Sequence, residues 1–385
     1  VFFLVRRIAP AIHDHMHIVQ MQINFALVQV IDACVAHGSQ NAASTQVVVS
    51  YQTTLSLGGW LPIKNIRTVV TERTQVTVCG TPFGVKMFSE GALIVGFSDI
   101  DSPGGSTVNP AKAAGLRLGD RVIRIGQIRT ENNDAVKEAL EAARGSAAEV
   151  IYVRSGEQRS TTLTPVWDAA AAQWRAGMWV RDSSAGVGTL TFVDPEKGVF
   201  AGLGHPISDG DTGESIALRS GEIVPCEITG CSMGTVGSPG ELKGKFLSAH
   251  AIGSIRINGE NGVYGTTRTG FSGQTMPVAF AQEVETGDAQ ILATVAGETP
   301  RTYHVRIEKI SDADPRRNMV IRVADKALLT RTGGIVQGMS GSPILQNGQL
   351  VGAVTHVLVN DPTRGYGIFA QTMLEQAEQV ATAEK

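Results

Sequence analysis

The stretch that most narrows what this chain can fold into is Gly333-Gly-Ile-Val-Gln-Gly-Met-Ser-Gly-Ser-Pro-Ile344, continued by Leu345-Gln-Asn-Gly-Gln-Leu-Val-Gly-Ala-Val354. The second part reads as strand, tight turn, strand, because Asn347-Gly348 supplies the two left-handed residues that a two-residue hairpin needs. The first part is a glycine-punctuated loop carrying Ser340. A serine hydroxyl attacks a carbonyl only when a base removes its proton and a backbone cradle receives the charge that forms. Here Gly338 permits a tight turn that aims the amides of Gly338 and Ser340 at one oxygen, and Gly341 leaves room for a substrate backbone to lie close. A serine loop that runs into a hairpin differs from the strand-to-helix elbow of the α/β hydrolases. A bare Gly-x-Ser-Gly would read as an ordinary turn; the longer string and its hairpin favour a nucleophile loop in a mainly β protein.

Composition agrees. Of 385 residues, 44 are Gly and only 5% are aromatic, which favours short strands and turns over long helices. A hydrophobic share of 42% suits two or three packed domains, and a net charge of −3 without a large basic block argues against nucleic acid. Cys34, Cys79, Cys226 and Cys231 match no zinc spacing and no disulfide framework, although Cys226 and Cys231 could pair across a turn. His13, His15 and His17 alternate as on a strand, but no second ligand cluster supports a metal, and no cofactor is expected. Val1–Val5 and Ile23–Val35 are apolar-rich yet shorter than the roughly 20 residues of a membrane span. Residues 1–74 are read as an N-terminal region, a remnant of an export or anchor segment, with strands near Val47–Tyr51 and Thr68–Val70 and a turn at Leu57–Pro62.

Residues 75–166 read as a compact α+β module. Pro110 opens a short helix that Gly115 ends, Arg121–Ile125 is a strand, and Asn132 or Asn133 caps a helix over Asp134–Ala143. Two strands around Ser155-Gly156 close the module, and Val166–Ala176 reads as a linker. The string Pro110-Ala…Ala114-Gly-Leu…Gly119-Asp-Arg-Val-Ile resembles a bacterial-type PDZ domain, which binds an extended peptide by adding it to a sheet edge. The carboxylate-binding loop would be Thr81, Pro82, Phe83, Gly84 and Val85, and the chain itself is one candidate ligand.

Beyond residue 167 the chain is strand-rich. In Gly198-Val-Phe-Ala-Gly-Leu-Gly-His-Pro-Ile207, His205 sits after small residues at the end of an apolar strand, a placement that fixes an imidazole yet leaves it open to a cleft. His250, His304 and His356 compete, but His205 leads because base precedes nucleophile by well over a hundred residues, the trypsin-like order. An acid should fix the tautomer of that histidine, and Asp209, Asp211, Asp288, Asp312, Asp314 and Asp325 all lie in the interval without spacing choosing among them.

Three strings, Trp179-Val-Arg-Asp-Ser-Ser-Ala-Gly-Val-Gly-Thr-Leu-Thr-Phe192, Leu203-Gly-His-Pro-Ile-Ser-Asp209 and Thr332–Ile344, with Gly365-Tyr-Gly-Ile-Phe369, resemble the stage IV sporulation protein B (SpoIVB) serine peptidases from about residue 75 to the end. The resemblance implies a trypsin-like double β-barrel protease domain at 167–385 preceded by a PDZ domain at 75–166. It implies a triad of His205, Asp325 and Ser340, an oxyanion hole of Gly338 and Ser340, and no metal. It further implies export across the forespore membrane, self-cleavage, and cleavage of a membrane-associated regulator of an intramembrane protease, so that a late mother-cell sigma factor is activated. The family's membrane-spanning or signal-like segment has no clean counterpart in residues 1–45. A non-catalytic PDZ scaffold and a PDZ-regulated quality-control protease are the alternatives.

Overall fold

A computed structural model describes residues 73–383 apart from 102–106 and positions 211, 214, 249, 268, 269 and 312, together with four strands ahead of residue 71. Those four are β1 (His15–Ile18), β2 (Val30–Asp32), β3 (Val49–Leu57) and β4 (Leu61–Val70), in the order β1-β4-β3-β2. The strands expected near Val47–Tyr51 and Thr68–Val70 fall in β3 and β4. Val1–Val5, most of Ile23–Val35, His13, Cys34 and the turn residues 58–60 lie outside the described residues. These strands form one compact unit with residues 277–284, in which Arg73 pairs with Glu283 at 2.7 Å.

The second unit comprises residues 76–276 and 285–385. It begins with β5 (Gln75–Val78) and the 16-residue β6 (Pro82–Phe97). A small α/β module follows. Its helix α1 (Pro110–Ala113) has Pro110 at its start and Asn109 as cap, accepting the Lys112 N–H at 2.9 Å. Then come β7 (Arg121–Ile125), α2 (Asn133–Ala143), β8 (Ala148–Arg154) and β9 (Glu157–Leu163). Asn132 caps α2 by accepting from Ala135 N–H, and Val136, Ala139 and Leu140 turn one face of it into the core with Ile94, Val122 and Val150. Asp120, read from the sequence as a turn residue, does more than turn the chain. Its carboxylate is 1% exposed and accepts from Arg117 N–H and from two nitrogens of Arg154, each at 2.7 Å. Asp120→Ala removes the acceptor of these bonds, leaving the partly exposed Arg154 to water and the Gly115 carbonyl, and is expected to cost about 1.5–3 kcal/mol, measurable as a lowered urea midpoint.

Residues 166–176, expected as a linker, form a hairpin in which Val166–Asp168 pairs with Gln173–Arg175 and Trp167 meets Trp174 edge-on at 5.6 Å. The chain continues into β10 (Met178–Asp194), β11 (Val199–Gly202), β12 (Leu218–Ser232), β13 (Glu241–Phe246), β14 (Gly253–Gly259) and β15 (Gly262–Thr267). Pairing runs β6-β12-β14-β15-β11-β10 and returns from β10 to β6, a ring of six strands. Its interior holds Phe83, Val85, Met87, Leu190, Phe200 and Ile223.

That ring corrects two expectations. Thr81–Val85 is not a free loop: Pro82–Val85 lie in β6, buried, with β10 paired on one edge and, from Phe83 on, β12 on the other. No row of unpaired amides is left there to take a peptide carboxylate. The boundary at residue 75 also divides differently, because the first half of β6 belongs to the ring and only its second half, pairing Ala92 with Val122, joins the α/β module.

The rest is a closed barrel of β16 (Gly287–Ala293), β17 (Arg301–Ile310), β18 (Met319–Val323), β19 (Pro343–Gln346), β20 (Gln349–Leu358) and β21 (Asp361–Phe369), in the order β16-β17-β18-β21-β20-β19. Helix α3 (Lys326–Thr332) precedes the serine loop. The final helix α4 (Ala370–Ala383) buries Ala370, Met373, Ala377 and Val380 and contacts β11 and β15 of the ring as well as β20 and β21 of the barrel.

Candidate active site

The serine loop leaves α3 through Gly333 and enters β19 at Pro343. Met339 N–H donates to the Val336 carbonyl at 3.1 Å, closing a turn whose third residue, Gly338, has φ +94°. That is the position where a type II turn requires glycine. The Gln337 carbonyl accepts from Leu242 N–H at 2.8 Å. Since a trans peptide points its C=O and N–H in opposite directions, the Gly338 N–H faces away from β13. Among the described residues the Gly338 and Ser340 amides, both bordering the cleft, donate no hydrogen bond. Two unspent donors beside a serine are what an oxyanion cradle needs.

Strand β10 staples this loop. Thr189 N–H donates to the Ser340 carbonyl at 3.0 Å, Thr189 Oγ1 to the Gly338 carbonyl at 2.9 Å, and Thr191 Oγ1 to the Gly341 carbonyl at 2.8 Å. Gly341, expected to leave room for a substrate, leaves it for the chain's own backbone: a Cβ there would overlap the Thr189 carbonyl oxygen. The two threonines were invisible as functional residues in the sequence, since nothing local ties them to a loop about 150 positions away.

His205 comes from the ring. After β11, Leu203 (φ +67°) and Gly204 (φ +70°) swing the chain outward. Gly204 packs so tightly that an added Cβ would stand 2.8 Å from Thr355 Cγ2 of β20. His205, Ser340, Thr355 and His356 thereby border one cleft of about 570 Å³. The His205 Nδ1 lies 2.7 Å from the Pro206 carbonyl. A carbonyl only accepts, so Nδ1 carries the proton and Nε2 is left basic. Ser340 Oγ donates to the Thr355 carbonyl at 2.6 Å, so its proton is not yet directed at the imidazole.

His356, one competitor among the histidines in the sequence, stands beside His205 with ring centroids 4.8 Å apart, and its buried Nδ1 has no partner among the described residues. The signal for it was weak: a bulge in β20 between Val354 and Val357 sets which way residue 356 turns, and a bulge is not legible in alternation.

Asp325 is not brought to His205. Its carboxylate caps α3, accepting from Ala327 and Leu328 N–H at 2.9 and 3.0 Å, with the His304 amide at 3.4 Å. The Leu328 amide, with those of His304 and Ala327, holds its carboxyl below the usual carboxylate range. The string that carried it is a strand end followed by a helix start, where aspartate is a preferred cap. Asp209, the first reserve, is 1% exposed at its side chain and pairs with Arg181 at 2.6 Å while accepting from Thr212. Asp314 pairs with Arg316, Asp288 lies exposed on β16, and Asp211 and Asp312 lie outside the described residues.

Burial lowers the pKa of His205, opposed by its bond to Pro206, and burial beside His205, Arg317 and Arg316 pushes His356 down to about 4. Both rings are therefore neutral at neutral pH. The unfolded chain takes up protons at the ordinary histidine value of 6.5, the folded His356 only near 4. Between those values the unfolded state binds more protons, so stability is intact above 6.5 and falls as pH drops toward 4. His356→Gln is expected to flatten that part of the Tm-against-pH curve.

A serine, a neutral imidazole and two idle amides around one cleft are the groups that acyl transfer through a serine requires. The family described as SpoIVB peptidase S55 matches residues 172–374, just over half of the chain. The chain belongs to that family. No curated protein matches it. Among solved structures it is similar to Rv3671c protease in its inactive form, with 16% identity over 50% of this chain and 84% of that one at a TM-score of 0.29. It is also similar to a thermostable serine protease AL20 from an extremophilic microorganism, with 14% identity over 52% of this chain and 93% of that one at a TM-score of 0.34.

Proposed function

We propose that the chain is an endopeptidase in which Ser340 attacks a peptide carbonyl, His205 takes its proton, and the amides of Gly338 and Ser340 receive the oxyanion. The convergence of Ser340 and His205 on one cleft, beside those two amides, carries this reading. Attack begins with Ser340 Oγ turning off the Thr355 carbonyl, a loss of about 1 kcal/mol that the bond to the imidazole replaces. The proton passes to His205 Nε2, whose charge is relieved when the imidazolium protonates the leaving amine; water then releases the acyl-enzyme by the same route. In this structure the Pro206 carbonyl, not Asp325, orients the ring. Asp325→Asn separates the roles: as a cap, asparagine substitutes well and turnover holds; as a triad acid, kcat falls by about 10⁴ with Tm unchanged.

The six-strand ring and the closed barrel together support a trypsin-like double barrel, and the Gly119-Asp120 module supports a PDZ-like domain. Its sheet edge at Leu93–Phe97 is taken by the chain's own Met178–Arg181, and Asp182 accepts from Asn133 N–H at the start of α2 at 2.9 Å. The ligand of that groove is therefore read as the chain itself. By the family resemblance the substrates are the chain's own N-terminal region and a membrane-associated regulator in a sporulation cascade, reached by export across the forespore membrane. Intact-mass spectrometry of the purified protein tests the core of this: self-cleavage present in wild type and absent in Ser340→Ala supports it, and equal cleavage in both overturns it.

A further inference from the structure

The wall of the cleft beside the serine loop is aliphatic. Ile335 and Val336 come from the loop ahead of Ser340, Val357 and Val359 from the end of β20 and just beyond it. Ile335 is 2% exposed and reaches over Gly365 of β21, where an added Cβ would stand 2.6 Å from Ile335 Cδ1. Glycine at 365 is what lets the isoleucine sit so deep. Its backbone is pinned there, since Ile335 N–H donates to the Pro362 carbonyl at 2.8 Å and Gly334 before it has φ +142°. The same isoleucine borders the cleft beside Gly338 and Ser340. None of the described residues lining the cleft is Asp, Glu, Lys or Arg. A charged side chain entering would exchange water for aliphatic carbon and meet no counter-charge.

The orientation of the substrate follows from the amides. With its carbonyl oxygen on Gly338 and Ser340, the attacked residue directs its side chain toward the loop that carries them. The edge of β20 that its backbone can run beside lies beyond Val354, whose C=O and N–H are taken by the Gly341 N–H and the Ser342 carbonyl. We infer that this cleft selects a small, uncharged aliphatic side chain, alanine or valine, at the residue whose carbonyl is attacked, with Ile335 setting the size limit. The inference rests on the Ser340 reading above.

The test uses tripeptidyl diphenyl phosphonates that differ only in the last side chain: Ala, Val, Leu, Phe, Lys or Glu. Ser340 Oγ forms a bond to phosphorus and phenol leaves with the proton, so labelling rates are read by intact mass on the full chain. The Ala and Val probes are expected to react at least about 30-fold faster than Phe, Lys or Glu. Ile335→Ala should raise the Leu-to-Val rate ratio about tenfold or more. Should that variant fail to fold, Val357→Ala, at a half-buried position, should move the same ratio in the same direction. Lys or Glu as the fastest probe, or an unchanged ratio in a folded variant, overturns the inference. An alkyl fluorophosphonate without such a side chain reads Ser340 alone: failure there sinks the nucleophile assignment, whereas success there with the wrong probe order sinks only the size and charge rule.

Discussion

Ser340→Ala is expected to lower peptide-bond cleavage by about five to six orders of magnitude while leaving the fold in place. The side chain makes one hydrogen bond, from Oγ to the Thr355 carbonyl, at a half-buried position bordering the cleft. Its loss costs about 1 kcal/mol, a shift of a few degrees or less in Tm for a domain of this size. The nearest serine along the loop does not stand in: Ser342 Oγ is buried, without a partner among the described residues, and its residue does not border the cleft. Cleavage of a peptide substrate and Tm, measured on one preparation, check both halves. A folded Ser340→Ala protein that still cleaves at more than about a hundredth of the wild-type rate would remove the nucleophile from this account.

Gly341→Ala is expected to damage both stability and activity, although the residue has no side chain to take part in the chemistry. The position has φ +93°, which costs an L-residue about 1–2 kcal/mol. The added methyl would also overlap the Thr189 carbonyl oxygen and crowd Leu203 N–H. Both obstacles are backbone within paired or anchored segments, so they do not yield as a flexible side chain would. The loop must lift off β10, and the bonds from Thr189 and Thr191 go with it. We expect a loss of about 3 kcal/mol or more in stability. Fluorophosphonate labelling should fall by at least about 10² in whatever folds, because a serine misplaced by about 1 Å loses that much. Thr191→Val, which removes one staple without steric conflict, should give a smaller loss of both, and the comparison separates strain from lost hydrogen bonding.

Much of the architecture could be read from local patterns. The Asn347-Gly348 hairpin forms as alternation and turn chemistry require, with φ +52° and +75° at the two turn residues. The helix start at Pro110, the cap at Asn132 and the strand Arg121–Ile125 also followed from residue type and spacing. Two sites carried by resemblance went astray for one reason. The PDZ resemblance makes Thr81–Val85 a carboxylate-binding loop, yet β10 and β12 claim its edges. Asp325 looked like a triad member by its motif, yet the nearest donors to its carboxylate are the first amides of the helix it begins.

What the amino-acid sequence determined on its own was the chemistry available: a serine in a glycine-built loop, a histidine after a strand of small residues, and a β-rich chain to hold them. Those properties are local, set by φ preference, turn type and side-chain reactivity. Which groups meet was decided by the tertiary structure alone. His356 beside His205, Thr189 and Thr191 under the serine loop, Asp120 under Arg154 and Ile335 over Gly365 join positions far apart in the chain. They depend on register and on one bulge, and a shift of a single residue in a strand turns every side chain to the opposite face.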